Sequence, residues 1–158
     1  MMSLQATMRE KRFIAEHRGG LLTKKQHDQL LQWACHCAQH VLPLYGDQID
    51  DRLRTALGVA EAWRQGNASV GDARKAAVAA HAVARASSNP TAIAVARSVG
   101  HAVATVHMAD HCLGAAWYAL KAAHHAGKSV LSERTWQHGQ LPSDIKELVL
   151  SARKSRNI

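Results

Sequence analysis

Apolar residues recur along most of this chain at intervals of three and four positions, which is the spacing of one face of an α-helix. The segment between Thr23 and Pro43 is an example, with Leu30, Leu31, Trp33, Ala34, Cys37, Val41 and Leu42 at helical intervals. Segments in which apolar and polar residues alternate over four to eight positions, as half-buried strands require, are nearly absent. The pattern therefore predicts an all-α fold, a compact antiparallel bundle of seven to eight helices with no sheet.

Helix boundaries are indicated by capping residues and by glycine and proline. Pairs with the spacing of caps precede three predicted helices: Thr23 with Gln26, Ser69 with Asp72, and Asn89 with Pro90. The other predicted helices cover residues 4–17, 50–66, 132–138 and 142–153. We expect the first of them to end at Gly19 and Gly20, because glycine adopts the left-handed C-cap conformation at little cost.

The stretch from residue 90 to residue 125 contains no helix breaker other than Gly100 and Gly114. An unbroken helix of about 36 residues would be unusually long for a globular domain of this size. We therefore predict two helices here, with the break between Thr105 and Met108.

The composition is that of a globular domain with few large side chains. Hydrophobic residues make up 47% of the 158 residues and aromatic residues only 4%. Much of the hydrophobic fraction is alanine, which lets helices approach closely. The length predicts one helical domain over residues 1–158, with a core over about 10–152 and a basic tail over 153–158. Of the four tryptophans, we expect three to anchor the core and Trp117 to line a groove.

The sequence offers no signal for a membrane or for secretion. No apolar run reaches the roughly 18 to 20 residues that a membrane span needs. The first residues lack the apolar block and the small-residue cleavage site of a secretory signal. We therefore expect a cytoplasmic protein without a membrane partner.

Polar side chains form a second stripe on three consecutive predicted helices. On the helix that begins at Pro90, for example, Arg97, His101 and Thr105 lie four residues apart and share a face. Because short loops place consecutive helices side by side, we expect these stripes to meet in one electropositive cleft. Such a cleft would suit a carboxylate, a phosphate or an acidic patch of a protein. The candidate residues are His81, Arg85, Arg97, His101, His107, Asp110, His111 and Tyr118.

A metal site is the sharpest chemical alternative, because His107 and His111 are four residues apart and would share one side of a helix. Met108, however, stands where a His-Glu-x-x-His motif has its glutamate base. Cys35 and Cys37 would point about 200° apart on a helix, so they cannot share an ion. We predict no metal, no cofactor and no catalytic residue, with the histidines hydrogen-bonded inside the bundle. The open alternative is a metal- or anion-binding bundle with hydrolase-type chemistry carried by His81, His101, His107, Asp110 and His111.

Several strings of residues together resemble a known family. They are His17-Arg18-Gly19-Gly20, Leu22-Thr23 with His27, Trp33-Ala34, Cys37-Ala38, Val41-Leu42-Pro43, the segment from Ala80-His81 to Arg85, and the stretch from Gly100 to Ala122. Over residues 10–150 the chain resembles a bacterial all-helical family of putative immunity proteins, the immunity-protein-five-like group. The resemblance implies a small, noncatalytic, cytoplasmic protein that binds and neutralises a cognate toxin of a polymorphic toxin system. It also implies that His17 and Arg18 belong, together with His81, Arg85, His101, His107, Asp110 and His111, to the polar residues typical of the family.

Net charge restricts the kind of partner that the chain suits. The sequence has 20 Lys and Arg against 12 Asp and Glu, a formal charge of +8 with the 11 histidines counted as neutral. An acidic or neutral toxin therefore fits better than a basic one, unless the contact is made by a local acidic patch of Asp47, Asp50 and Asp51. Specific nucleic-acid binding is not expected, because the basic residues are spread along the chain and are not interleaved with aromatic residues.

Overall fold

The computed structural model describes residues 11–158, which are 75% helical and contain seven α-helices. These are α1 (Lys24–Val41), α2 (Asp51–Arg64), α3 (Val70–Ala86), α4 (Pro90–Ala104), α5 (His111–His125), α6 (Val130–Gly139) and α7 (Ser143–Arg156). Two short 3-10 turns, Glu16–Arg18 and Leu42–Tyr45, flank α1. Residues 11–158 contain no strand, only an isolated bridge between Ala15 and Leu22. The predicted all-α bundle is confirmed.

The predicted capping residues begin their helices. Both groups of the Thr23–Gln26 capping box are paired, since Thr23 Oγ1 accepts from the Gln26 amide at 3.1 Å and Gln26 Oε1 accepts from the Thr23 amide at 3.0 Å. Ser69 and Asp72 form the same reciprocal pair at the start of α3. The Asn89 side chain accepts from two amides in the first turn of α4. These contacts are local in sequence, which is why the pattern of residues alone located them.

The chain before α1 differs from the prediction. Residues 4–10, half of the helix predicted over residues 4–17, lie outside the described residues, and residues 12–15 are not helical. Instead the backbone closes a loop, because Leu22 N donates to the Ile14 carbonyl at 2.9 Å and Glu16 N donates to the Leu22 carbonyl at 3.0 Å. Gly20 lies so close to the Ile14 backbone that a Cβ there would overlap it. Gly19 does adopt the expected left-handed C-cap conformation, with φ at 86°, but it ends the short 3-10 turn Glu16–Arg18. Gly20 allows the close approach to Ile14 that closes the loop.

Helix α4 is the centre of the bundle. Ten of its 15 residues are buried, and it packs against α1, α2, α3 and α5. Alanine supplies five of those ten buried positions and five of the eight buried positions on α5. Small side chains let the two helices approach closely enough for Ser98 Oγ on α4 to donate to the Ala115 carbonyl on α5 at 2.8 Å.

A turn over residues 105–110 separates α4 from α5, at the place where the break was predicted. Thr105 was expected on a polar face with Arg97 and His101, but it is fully buried. Its hydroxyl donates back to the His101 carbonyl at 3.0 Å, and its own carbonyl accepts from His27 Nε2 at 2.7 Å. Burial is tolerated here because both polar groups of Thr105 are satisfied.

Two further expectations, the basic tail and the tryptophan anchors of the core, are corrected by the structure. Residues 153–156, predicted as part of a basic tail, belong to α7. Arg153 is only 3% exposed and hydrogen-bonds Gln137. Of the tryptophans only Trp33 is fully buried; Trp63, Trp117 and Trp136 are partly exposed. No helix among the described residues is long and apolar enough to span a membrane.

Candidate functional site

Four histidines from consecutive elements form a continuous row of rings, which we call the histidine row. It runs from His81 on α3 to His101 on α4, then to His111 at the start of α5 and His107 in the turn before it. Successive ring centroids are 5.3, 5.3 and 5.4 Å apart. All four side chains are half-buried, so the stripes predicted on three helices do lie side by side, as a row rather than around one central point.

Two helical glycines make room for the row. A Cβ added to Gly100 would lie 2.6 Å from Cε1 of His81, and one added to Gly114 would lie 2.6 Å from Nδ1 of His101. Each histidine thus packs flat against the backbone of the next helix. Glycine inside a helix costs stability relative to alanine, so the close approach of a ring explains its presence at both positions.

Replacing Gly100 with alanine is expected to destabilise the protein when His81 is present and to stabilise it when His81 is removed. In the wild-type background the new methyl group overlaps the ring, and we expect a net loss of about 1 kcal/mol, since overpacking exceeds the gain in helix propensity. In a His81→Ala background the space beside Gly100 is empty, and the same substitution should stabilise the protein by up to about 1 kcal/mol. Urea unfolding of the four proteins measures both values. Equal effects in the two backgrounds would contradict the packing of His81 on Gly100.

Hydrogen bonds and stacking connect the rings of the row with Arg97, with Tyr118 and with each other. Arg97 Nη1 donates to His81 Nδ1 at 2.8 Å, so that nitrogen carries no proton. The Nδ1 atoms of His101 and His111 lie 3.2 Å apart, and one of them donates to the other. Tyr118 stacks on His101, with ring centroids 5.3 Å apart and planes 16° apart.

The pKa of every histidine in the row is lowered, and burial is the main cause each time. The shift is largest for His101, whose pKa falls to about 4 because the charges of His111, His81 and Arg97 add to the effect of burial. Asp110 opposes the shift at His107 and His111. The row is therefore uncharged at neutral pH.

A groove of about 710 Å³ opens at the His107 end of the row. Its walls come from residues 13–18, the first turn of α1, the last turn of α2, the first turns of α3 and residues 106–109. The lining combines apolar side chains with cations: Phe13, Trp63, Val70 and Met108 with Arg18, Lys24 and Arg74. Within residues 11–158, Glu16 is the only acidic residue that lines the groove. The surface thus offers apolar contact surrounded by positive charge.

Eight of the ten candidate residues belong to one of these two features. His17, Arg18 and His107 line the groove. His81, Arg97, His101, His111 and Tyr118 belong to the histidine row or contact it. Arg85 is exposed near His81 and contributes to lowering its pKa. Asp110 lies 3.5 Å from Arg156 on α7.

In the acidic patch, Asp50 is already engaged, because it caps α2 and pairs with Arg52.

Several groove residues were not predicted as site residues from the sequence, among them Arg74, His27 and Trp63. Arg74 had a signal, since it lies seven residues before His81 on the same face of α3. His27 and Trp63 come from α1 and α2, and their rings meet with centroids 5.7 Å apart. No spacing along the chain indicates that contact, because it depends on how the two helices pack.

His107 and His111, the pair with the spacing of zinc ligands, do not have the geometry expected of them. His107 was placed on one helix with His111, but α5 begins at His111 and His107 lies in the preceding turn. Within the described chain no three His, Cys, Asp or Glu side chains are grouped so that they could hold a metal ion. Cys35 is a partly buried free thiol and Cys112 a buried one. Burial raises the pKa of Cys35 to about 12 and also raises that of Cys112.

Comparison with known proteins assigns the chain to a family. No curated protein and no solved structure matches it. The model of the family described as Imm-5 like putative immunity protein matches residues 20–144. That range contains the whole histidine row, both glycines that support it, and Trp63, Arg74 and His107 of the groove, while His17 and Arg18 lie just before it. The chain belongs to the Imm-5 like putative immunity protein family.

Proposed function

We propose that this protein binds and neutralises a cognate bacterial toxin without catalysing a reaction. The observation that carries the proposal is the match of the immunity-protein family model over residues 20–144. The cytoplasm is the compartment we propose for it, and the three free cysteines, which are buried or partly buried, are consistent with a reducing environment.

The packing of the histidine row supports a structural role for these histidines rather than acid–base catalysis. His81 and His101 rest on the glycine backbones of the next helices, and the pKa of each is lowered away from neutrality. A general acid or base works best when its pKa lies near the operating pH. The groove, in contrast, is an open and chemically mixed surface of the kind that protein partners use.

Coexpression tests the proposal. The open reading frames next to the gene for this protein are expressed one by one, alone and together with it. We expect one of them to arrest growth alone, to be tolerated in the presence of this protein, and to copurify with it through a tag on the toxin. The proposal fails if none of the neighbouring products is toxic, or if toxicity is unchanged by this protein and nothing copurifies.

A control variant separates binding from general effects of expression. Exposed Val78 on α3 lies outside the groove, so Val78→Ser should protect as well as the wild-type protein does. A protein unfolded by Trp33→Ala should give no protection at equal expression, because removing a fully buried tryptophan costs about 3 to 5 kcal/mol.

A further inference from the structure

Exposed apolar side chains are concentrated at the groove. Six large hydrophobic residues are exposed among residues 11–158, and three of them, Ile14, Val70 and Met108, line the groove with 37%, 41% and 52% of their surface accessible. These three residues come from segments far apart in sequence, which the fold brings together. Contiguous apolar surface with a polar rim is typical of interaction sites.

Positive charge at the groove is not neutralised within the described chain. Arg18, Lys24 and Arg74 line the groove, and none of them forms an ion pair with a residue between 11 and 158. Three other arginines are paired with acidic side chains: Arg52 with Asp50, Arg64 with Asp28 and Glu61, and Arg156 with Asp110. Cations with no acidic partner among these residues favour an occupant that brings its own carboxylates.

His107 links this charge to the histidine row. Arg74 and Arg18 both contribute to lowering its pKa, which places two cations within electrostatic range of one ring. Its Nδ1 atom is buried and has no hydrogen-bond partner among the described residues. The ring therefore keeps unused hydrogen-bonding capacity at the edge of the groove.

We propose that this groove is the surface on which the toxin docks, and that the toxin contributes an acidic segment in which carboxylates stand beside apolar side chains. The carboxylates pair with Arg18 and Arg74, and the apolar side chains cover Met108, Val70 and Trp63. The inference rests on the proposed function, because it takes the toxin as the partner. To that function it adds the location of the binding site on this protein and the chemistry of the toxin segment that occupies it.

The test compares binding of the toxin found by coexpression to charge-reversal variants, by calorimetry on the purified full-length proteins. Arg18→Glu with Arg74→Glu should weaken binding by about 100-fold or more, because like charges then face each other. Arg54→Glu with Lys75→Glu is the matched control, since it changes the net charge equally at two exposed positions outside the groove. Circular dichroism and thermal unfolding of both variants establish that they fold.

Two variants that replace exposed apolar side chains test whether the toxin makes apolar contact with the groove. Met108→Ser should weaken binding by roughly tenfold, while Val78→Ser, which removes an exposed apolar side chain outside the groove, should not.

The outcomes separate this inference from the function on which it rests. If the wild-type protein binds the toxin and the Arg18/Arg74 variant binds it equally well, the groove is not the docking site, although the proposed function stands. If the variant instead changes the oligomeric state without changing toxin affinity, the groove is an interface between copies of this chain and the inference is wrong. If no neighbouring product is toxic or binds, both proposals fail together.

Discussion

Replacing Gln137 with alanine is expected to lower the free energy of unfolding by about 3 to 5 kcal/mol, measured by urea unfolding. Gln137 is fully buried on α6, where its Oε1 accepts from Arg153 Nη1 at 2.8 Å and its Nε2 donates to the Ala116 carbonyl at 3.0 Å. Burial lowers the pKa of Arg153 to about 10, which reflects the cost of keeping this guanidinium charged. Removing Gln137 leaves that cation buried with no hydrogen-bond acceptor among the described residues.

Two controls identify the cause of this loss. Gln39→Ala makes the same substitution at an exposed position on α1 and should change stability by less than about 0.5 kcal/mol. In an Arg153→Met background, Gln137→Ala should cost less than half as much, because the cation that needs the acceptor is gone. An equal loss in both backgrounds would show that Gln137 does not stabilise the protein through Arg153.

Acidification is expected to destabilise the protein through the histidine row. An unfolded histidine has a pKa near 6.5, and the folded pKa of His101 is about 4, so between these values the unfolded chain binds more protons. Stability is therefore complete above pH 6.5 and is lost as the pH falls toward 4. Converted in full, the shift in the pKa of His101 corresponds to a loss of roughly 3 kcal/mol in the free energy of unfolding. Because the ring is partly exposed, we expect a loss of about 2 kcal/mol.

The pH dependence is measured by urea unfolding at pH 7.5, 6 and 4.5 on the wild-type protein and on two variants. His101→Gln removes the group with the largest shift, so it should lose less stability on acidification than the wild-type protein does. His36→Gln removes an exposed histidine on α1 and should follow the wild-type curve. If the His101 and His36 variants show the same dependence as the wild-type protein, the row is not responsible for it.

The features that could be predicted from the sequence are those whose cause lies within a few residues. The capping boxes at Thr23 and Ser69 bond their own first turns, and the break after Ala104 follows from the limit on helix length in a small domain. The polar stripe with His81, Arg97 and His101 was visible because helical periodicity places these residues on defined faces. Gly100 and Gly114 were visible as helical glycines, but the rings that they accommodate were not.

The features that could not be predicted depend on contacts between distant segments. The loop before α1 exists because Leu22 bonds the backbone of Ile14, and Thr105 is buried because His27 of another helix satisfies its carbonyl. The groove joins Arg18, Trp63, Arg74 and Met108, which are separated by up to 90 positions. Periodicity within one helix carries no information about such a surface.

Noncatalytic neutralisation is tested most directly by titrating the activity of the toxin, identified by coexpression, with this protein. A binding protein predicts that toxin activity falls linearly with added protein, reaches its minimum at a fixed stoichiometric ratio, and does not depend on the time of incubation. Loss of toxin activity at far substoichiometric amounts of this protein, increasing with incubation time, would contradict the binding mechanism and would indicate that the protein modifies the toxin enzymatically.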